Sequence, residues 1–509
     1  MAQINVADLT FCYEGSFDNI FENASFSIDT NWKLGLIGRN GKGKTTFANL
    51  LLGKYEYTGS VVTSGTVFDY FPYHIDNELM NRSTDDFLEI IKPGCESWRV
   101  ICELNKLEIN AEVLYRPFHT LSHGERTKVM LAILFSREND FLMIDEPTNH
   151  LDYNARQTVK EYLQKKKGFL LISHDRDLLD ACVDHVLVLN RKSIEVQAGN
   201  FSVWWENKKK KDAFSEKENE KHLREIASLK RAADKTTRWA DKNENTKIGY
   251  NPVKEHDRSI SARAYIGTKT KKMQSRVKSY ETRMEREIEE KEGLLADIER
   301  PIDLKLMPLE YHKELLIYTR DYCFKFPDAE EFLIQHFDFE LKAGERVFLH
   351  GSNGCGKSTF IKQILGEQKM PAPVVLGELT IGAGLVISYV NQDTSFLCGS
   401  IKEYCKTKNL DESLMLAILR QLDMERVQFQ KPMESYSEGQ KKKVLLAASL
   451  LTPAHLYIWD EPLNYIDVFS RMQIEQLILK YQPTMLIVDH DVAFRNNVAT
   501  RIVDNFKNG

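Results

Sequence analysis

No apolar run in this sequence approaches the 18 or more residues that a membrane helix needs. The longest, such as Met130–Phe135 and Val444–Ala448, stop after a handful of positions, so no bilayer span is expected. The opening "MAQINVADLTFCYEG" has neither a basic n-region nor an apolar h-region, so no secretory signal is expected either. Cysteine is sparse: the eight (Cys12, Cys95, Cys102, Cys182, Cys323, Cys355, Cys398 and Cys405) contain no Cys-x-x-Cys pair, which argues against a zinc site and a disulfide framework and for reduced thiols in the cytoplasm. Compositional bias is absent as well. With 42% apolar, 28% charged and 10% aromatic residues, the chain reads as an ordinary globular protein, and 509 residues are too many for one core.

Charge is present but unevenly placed. Between Lys230 and Arg283 there are 15 Lys/Arg against 6 Asp/Glu, a local +9, which leaves −14 on the other 455 residues of a chain with formal charge −5. That pattern predicts a localised contact with nucleic acid or another acidic surface rather than general polyanion binding.

The chain also repeats itself. "GRNGKGKT" at Gly38–Thr45 returns as "GSNGCGKS" at Gly351–Ser358, "LSHGE" as "YSEGQ", "MIDEP" as "IWDEP", and "SHD" as "DHD". The spacings agree: Lys44 to Lys357 is 313, Ser122 to Ser437 and Glu146 to Glu461 are both 315, and His174 to His490 is 316. Four patterns in one order, twice, mean a tandem duplication. In each half a strand-like run ("WKLGLIG", "ERVFLHG") enters the glycine loop and a helix-like run follows, and the acidic motifs end apolar runs ("FLMI", "LYIW") typical of buried parallel strands. The fold class is therefore α/β.

Between the halves, Glu206 to Ala240 and Tyr265 to Glu299 are rich in Lys, Glu, Arg and Ala. Met273, Val277, Tyr280 and Met284 form a helical seam, with Ile226, Leu229 and Ala233 as a facing stripe. Two antiparallel helices of this length would each reach roughly 50 Å. "NENTKIGYNPVKEHDRSISAR" is expected to be the turn, since it holds Gly249 and Pro252. The expected domains are 1–203, 204–302 and 303–509.

The chemistry of each half follows from residue type. A Gly-x-x-x-x-Gly-Lys-Ser/Thr loop turns backbone N–H groups onto phosphate at a helix N-terminus, while the lysine neutralises the β and γ phosphates and the hydroxyl binds Mg²⁺. The expected ATP-binding residues are thus Gly38, Arg39, Asn40, Gly41, Lys42, Gly43, Lys44, Thr45 and Thr46, and Gly351, Ser352, Asn353, Gly354, Cys355, Gly356, Lys357, Ser358 and Thr359. Asp145 and Asp460 are suited to hold Mg²⁺ beside Thr45 and Ser358, and Glu146 and Glu461 to act as general bases.

Together these motifs resemble the ABC ATPases, whose signature is usually Leu-Ser-Gly-Gly-Gln and whose switch residue is a histidine. The resemblance implies two tandem ABC-type P-loop nucleotide-binding domains, joined here by a long α-helical hairpin linker, that clamp each ATP between one half's phosphate loop and the other's signature. Site one would combine Lys44, Thr45, Asp145, Glu146 and His174 with Ser437 and Gly439; site two would combine Lys357, Ser358, Asp460, Glu461 and His490 with Ser122 and Gly124. It further implies that Tyr13 and Phe326 stack on adenine and that Gln392 serves as the Q-loop glutamine touching Mg²⁺ and the attacking water. Tyr73 stands where the first half would have that glutamine, so site one is expected to turn over more slowly.

Tandem domains with a charged helical linker resemble the ABC-F group. The wording "DTNWKLGLIGRNGKGKTT", "RPFHTLS", "IDEPTNHLD" and "LYIWDEPLNY.DV" resembles its Lsa-type antibiotic-resistance members. That resemblance implies a cytoplasmic monomer that closes on ATP in the E site of the bacterial 70S ribosome. There it would touch 23S rRNA and P-site tRNA and favour release of lincosamides, pleuromutilins and streptogramin A. Lys242, Lys247, Tyr250, Lys254, Arg258, Arg263, Tyr265, Lys269, Lys271 and Lys272 are the RNA-contact candidates. A translation factor for stalled ribosomes and a transporter's ATPase subunit are the alternative readings.

Overall fold

The structure is a computed structural model. It describes residues 3–14, 19–39, 41, 43–63, 65–137, 140–149, 151–189, 194–248, 278, 282–283, 305–327, 329–366, 373–422 and 424–504. Two compact units emerge: Met1–Trp204 with Pro301–Gly509, and Trp205–Arg300.

The first unit holds both α/β halves. In the first half, a six-stranded sheet runs in the order Val67–Phe71, Asp140–Asp145, Phe169–Ile172, Lys33–Gly38, His185–Leu189, Ile194–Ala198; neighbours are parallel except the last pair. The second half repeats it as five parallel strands: Ile387–Val390, Leu456–Asp460, Met485–Val488, Arg346–His350, Arg501–Asp504. Leu456–Asp460 and Phe169–Ile172 are buried throughout because helices cover both faces of a parallel sheet, which is why they read as unbroken apolar runs. In each half, the acidic strand lies one strand away from the strand that enters the glycine loop, so phosphate loop and carboxylates meet at the strands' C-terminal ends.

Each half adds a three-stranded antiparallel sheet, Phe21–Asp29, Gln3–Phe11, Thr58–Val62 and its counterpart Ile334–Lys342, Leu315–Lys325, Val374–Ile381. Here the duplication extends to irregularities. Asp8 and Asn23 sit at φ 52° and 48°, and Asp321 and His336 at 49° and 47°. The Asn23 N–H donates to Thr10 Oγ1 at 2.9 Å, as the His336 N–H does to Cys323 Sγ at 3.2 Å. The grouping of Asp321, Cys323 and His336 within 4.8 Å is therefore the frame of a bulged strand pair that the first half builds from Asp, Thr and Asn.

The helical insert departs from expectation. One helix runs from Phe201 to Ile248, 48 residues, starting before Glu206, passing Ala240 and absorbing "NENTKI". Asn, Thr and Glu are only mildly unfavourable within a helix, and Gly249 is the first strong breaker. Ile226 is buried on this helix and Leu229 is half-buried. The side chains of Ala233, Lys242 and Lys247 lie outside the described residues. So do the residues Tyr250, Lys254, Arg258, Arg263, Tyr265, Lys269, Lys271 and Lys272, with the seam Met273, Val277, Tyr280 and Met284. All eight cysteines are free.

Candidate nucleotide sites

Each phosphate loop ends on a glycine in the left-handed region, Gly43 at φ 90° and Gly356 at 104°, and the helices Lys44–Leu51 and Lys357–Ile364 start there. A Cβ on Gly43 would lie 2.5 Å from Ile20 Cγ2, so glycine is required by space as well as by backbone. Within the loops, Lys44 Nζ donates to Gly38 O (2.7 Å) and Arg39 O (3.2 Å), and Lys357 Nζ to Gly351 O and Ser352 O (both 2.8 Å). The lysines thus stand in the mouth of their own loops. Asn40 and Lys42 lie outside the described residues, while Gly41, Gly354 and Asn353 line the open outer turns and Cys355 is buried beneath. Thr46 is buried, its hydroxyl 2.8 Å from Tyr13 Oη. Thr359 is half-buried.

At site one, Thr45 Oγ1 donates to Asp145 Oδ2 at 3.2 Å. Burial pushes the Asp145 carboxyl up, opposed by hydrogen bonds from Tyr70 and Thr45 and by the charge of Lys44. Glu146, at φ 49°, is pushed up to about 8 by burial and by Asp145. Its Oε1 is buried without a hydrogen-bond partner, with His174 Nε2 3.5 Å away. Burial and the cations Lys44, Arg471 and Lys443 hold His174 well below the usual imidazole range, so it is neutral.

Site two is built from the same parts with better-held carboxylates. Glu461 Oε2 accepts from Gln392 Nε2 (2.9 Å) and Asn464 Nδ2 (2.7 Å). Lys442 Nζ donates to Asn391 O (2.9 Å) and Glu461 O (3.3 Å), pinning the strand end. Gln392 thus meets the carboxylate proposed as base; no bond to Asp460 is among its described contacts. His490 is pushed down to about 3 by burial, Arg156 and Lys357. Asp460 is pushed up by burial, with a hydrogen bond from Ser358 opposing, and its Oδ1 is buried without a partner. A hydroxyl beside a carboxylate is a hard-oxygen donor set, and an orphaned buried carboxylate oxygen is what a small divalent cation would satisfy, so both sites fit Mg²⁺.

The halves face each other. Arg471 and Lys443 of the second half act on His174, and Asp467 acts on Lys44; Arg156 and Asp152 of the first half act on His490. A buried ion pair, Arg176 Nη2 to Glu475 Oε2 at 2.6 Å, joins them directly. Ser122 and Ser437 cap the helices His123–Leu134 and Glu438–Leu451 in capping boxes with Glu125 and Gln440, leaving Gly124 and Gly439 in the first turns. These are N–H-rich helix starts of the kind that bind anions. Tyr13 and Phe326 are 40% and 42% exposed, each edge-on to a neighbour (Phe11, Phe324), so a flat face is available for stacking. Sequence reasoning missed Tyr70, Asn464, Lys442 and Arg176. Only Asn464 had a local signal, its place in "PLNYID" after the base.

A profile of the ABC transporter family matches residues 21–149 and 334–464, half of the chain and both sites' cores. The chain belongs to the ABC transporter family. Over 492 residues this ABC protein is 26% identical to the ribosome protection protein VmlR of Bacillus subtilis, covering 95% of this chain and 83% of that one. It is 27% identical over 527 residues to the ATP-binding protein Uup of Buchnera aphidicola, covering 100% and 81%. These relatives mark it as an ABC-F protein, and its domains make it an ATPase. Among solved structures, the archaeal ribosome recycling factor aABCE1 shares its fold, with TM-score 0.61 at 19% identity over 98% of this chain and 87% of that one. Among the described residues no helix is long and apolar enough to cross a membrane.

Proposed function

We propose that this ABC protein is an ATP-dependent, cytoplasmic ribosome-protection factor. It binds the E site of the bacterial 70S ribosome as a monomer and favours loss of lincosamides, pleuromutilins and streptogramin A from the peptidyl-transferase centre. The observation that carries the reading is that two facing nucleotide sites are accompanied by a 48-residue helix that falls between their halves in the sequence. Likeness to a ribosome protection protein over 95% of the chain supports it.

In this reading, Lys44 and Lys357 leave their loop carbonyls to neutralise the β and γ phosphates. Thr45 with Asp145, and Ser358 with Asp460, would hold Mg²⁺, which when bound neutralises charge on the transferring phosphate. Glu461, oriented by Gln392 and Asn464, takes the proton of the attacking water, and neutral His490 donates its ring N–H to a γ-phosphate oxygen. Ser437 with Gly439, and Ser122 with Gly124, bring their helix N-termini to the opposite half's nucleotide and so tie closure to ATP. Tyr13 and Phe326 stack on adenine. The basic stretch between Lys230 and Arg283 supplies phosphate contacts to 23S rRNA and P-site tRNA, whose strength falls with salt.

Expression in a susceptible bacterial host tests the reading. Raised resistance to lincosamides and pleuromutilins is expected, lost in the Glu461→Gln variant. Unchanged sensitivity, with ribosome binding retained, would make the protein a translation factor for stalled ribosomes instead.

A further inference from the structure

Tyr70 and Tyr389 hold equivalent places. Tyr70 is in register with Met143 and Tyr389 with Ile458, each two residues before the strand's aspartate. Their hydroxyls go different ways. Tyr389 O–H donates to Asn391 Oδ1 at 3.2 Å. The first half has Pro72 at that position, which offers no side-chain acceptor. Tyr70 O–H donates instead to Asp145 Oδ2 at 2.8 Å, the same oxygen that Thr45 reaches. The glutamine position repeats the contrast. Gln392 grips Glu461, whereas Tyr73 O–H donates to Asp69 Oδ2 at 2.6 Å, where Lys92 Nζ also donates at 2.8 Å, and so is tied away from Glu146.

A carboxylate that must meet a cation through one oxygen needs its rotation fixed. A phenol donating to the other oxygen fixes it with a charge-assisted bond. Outer partners of this kind change metal affinity by about 10- to 100-fold when removed. We propose that Tyr70 is a positioning residue for the divalent cation at site one, orienting the Asp145 carboxylate where this half lacks the glutamine. The sequence difference that creates the role is Pro72 for Asn391, because it leaves the phenol without a neighbouring amide and redirects it to the aspartate.

The proposal rests on the nucleotide sites and on no ribosomal role, and its test contains no ribosome. In the full chain carrying Lys357→Ala to silence site two, Mn²⁺ binding in the presence of ATP is followed by electron paramagnetic resonance, with and without Tyr70→Phe. Binding of a fluorescent ATP analogue in EDTA is measured alongside. The expected result is Mn²⁺ affinity about tenfold weaker in Tyr70→Phe, with metal-free nucleotide binding unchanged. The matching Tyr389→Phe change, made with Lys44→Ala, leaves Mn²⁺ affinity at site two where it was. Unchanged Mn²⁺ affinity in Tyr70→Phe overturns the proposal, as does an equal loss of metal-free binding or an equal effect of Tyr389→Phe. Failure of the nucleotide-site reading itself gives a different result, a parent chain that binds no nucleotide.

Discussion

The two halves repeat a backbone down to the left-handed residues at Glu146 and Glu461 (φ 49° and 48°), yet those glutamates have different company. Glu461 is gripped by two side-chain amides, at 2.9 and 2.7 Å. Glu146 has a buried oxygen without a hydrogen-bond partner; burial and the adjacent aspartate push both carboxyls up, Glu146 to about 8, while the amides orient Glu461 alone among the pair's described contacts. Three exchanges distinguish the neighbourhoods: Tyr73 for Gln392, Pro72 for Asn391, and Thr127 for Lys442. The lesson is that a duplicated scaffold repeats the placement of loop, strand end and carboxylates, while a few exchanged side chains change what holds each carboxylate.

The sharpest way to break that comparison is to disable each base alone. Glu461→Gln is expected to cut steady-state ATPase by about 100-fold or more, and Glu146→Gln by less than about threefold; equal losses would refute the asymmetry. Next in size is the bond between the halves. Glu475 stands where the first half has Lys160 and Ala493 where it has Asp177, so the in-half pair Lys160–Asp177 has no second-half equivalent and Glu475 pairs with Arg176 across the halves. Arg176→Ala is expected to cost about 3 kcal/mol in chemical unfolding, because it strands a buried charge. Lys160→Ala, whose partner is 38% exposed, should cost under about 1 kcal/mol.

A pH experiment sharpens the contrast further. Asp489 is the counterpart of Ser173, and burial and Asp491 push it up to about 6. Its folded-state value lies above its unfolded one, so the stability linked to its proton is present below about pH 4 and lost as pH rises through 6. Asp489→Asn should therefore be more stable than the parent in chemical unfolding at pH 7.5, by at most about 3 kcal/mol, and match it at pH 4. A constant difference across that range would contradict the assignment. The smallest effect is a gain: with site two silenced by Glu461→Gln, Tyr73→Gln should raise residual ATPase about threefold, one hydrogen bond to a charged group restored imperfectly.

The positions of Lys44, Lys357, Asp145 and Asp460 were legible because the loop and strand that carry them are specified by local glycine and apolar patterns. The α/β halves and the helical insert were legible for the same reason, through strand-length apolar runs and a long stretch free of breakers. What stayed hidden depends on partners brought together by packing. Arg176 meets Glu475 across 299 residues, and no local pattern encodes that. The redirected hydroxyl of Tyr70 needs the strand register as well as Pro72. The far end of the helix was misplaced because polar residues at Asn243–Ile248 resemble a turn in composition while retaining enough helix propensity to remain helical through Ile248.

The most direct measurement is sedimentation of the Glu146→Gln, Glu461→Gln protein with bacterial 70S ribosomes through a sucrose cushion, with ATP and without nucleotide. The account predicts that the protein pellets with ribosomes when ATP is present and stays in the supernatant when it is absent. Protein that remains in the supernatant with ATP, while still binding the nucleotide, would contradict it.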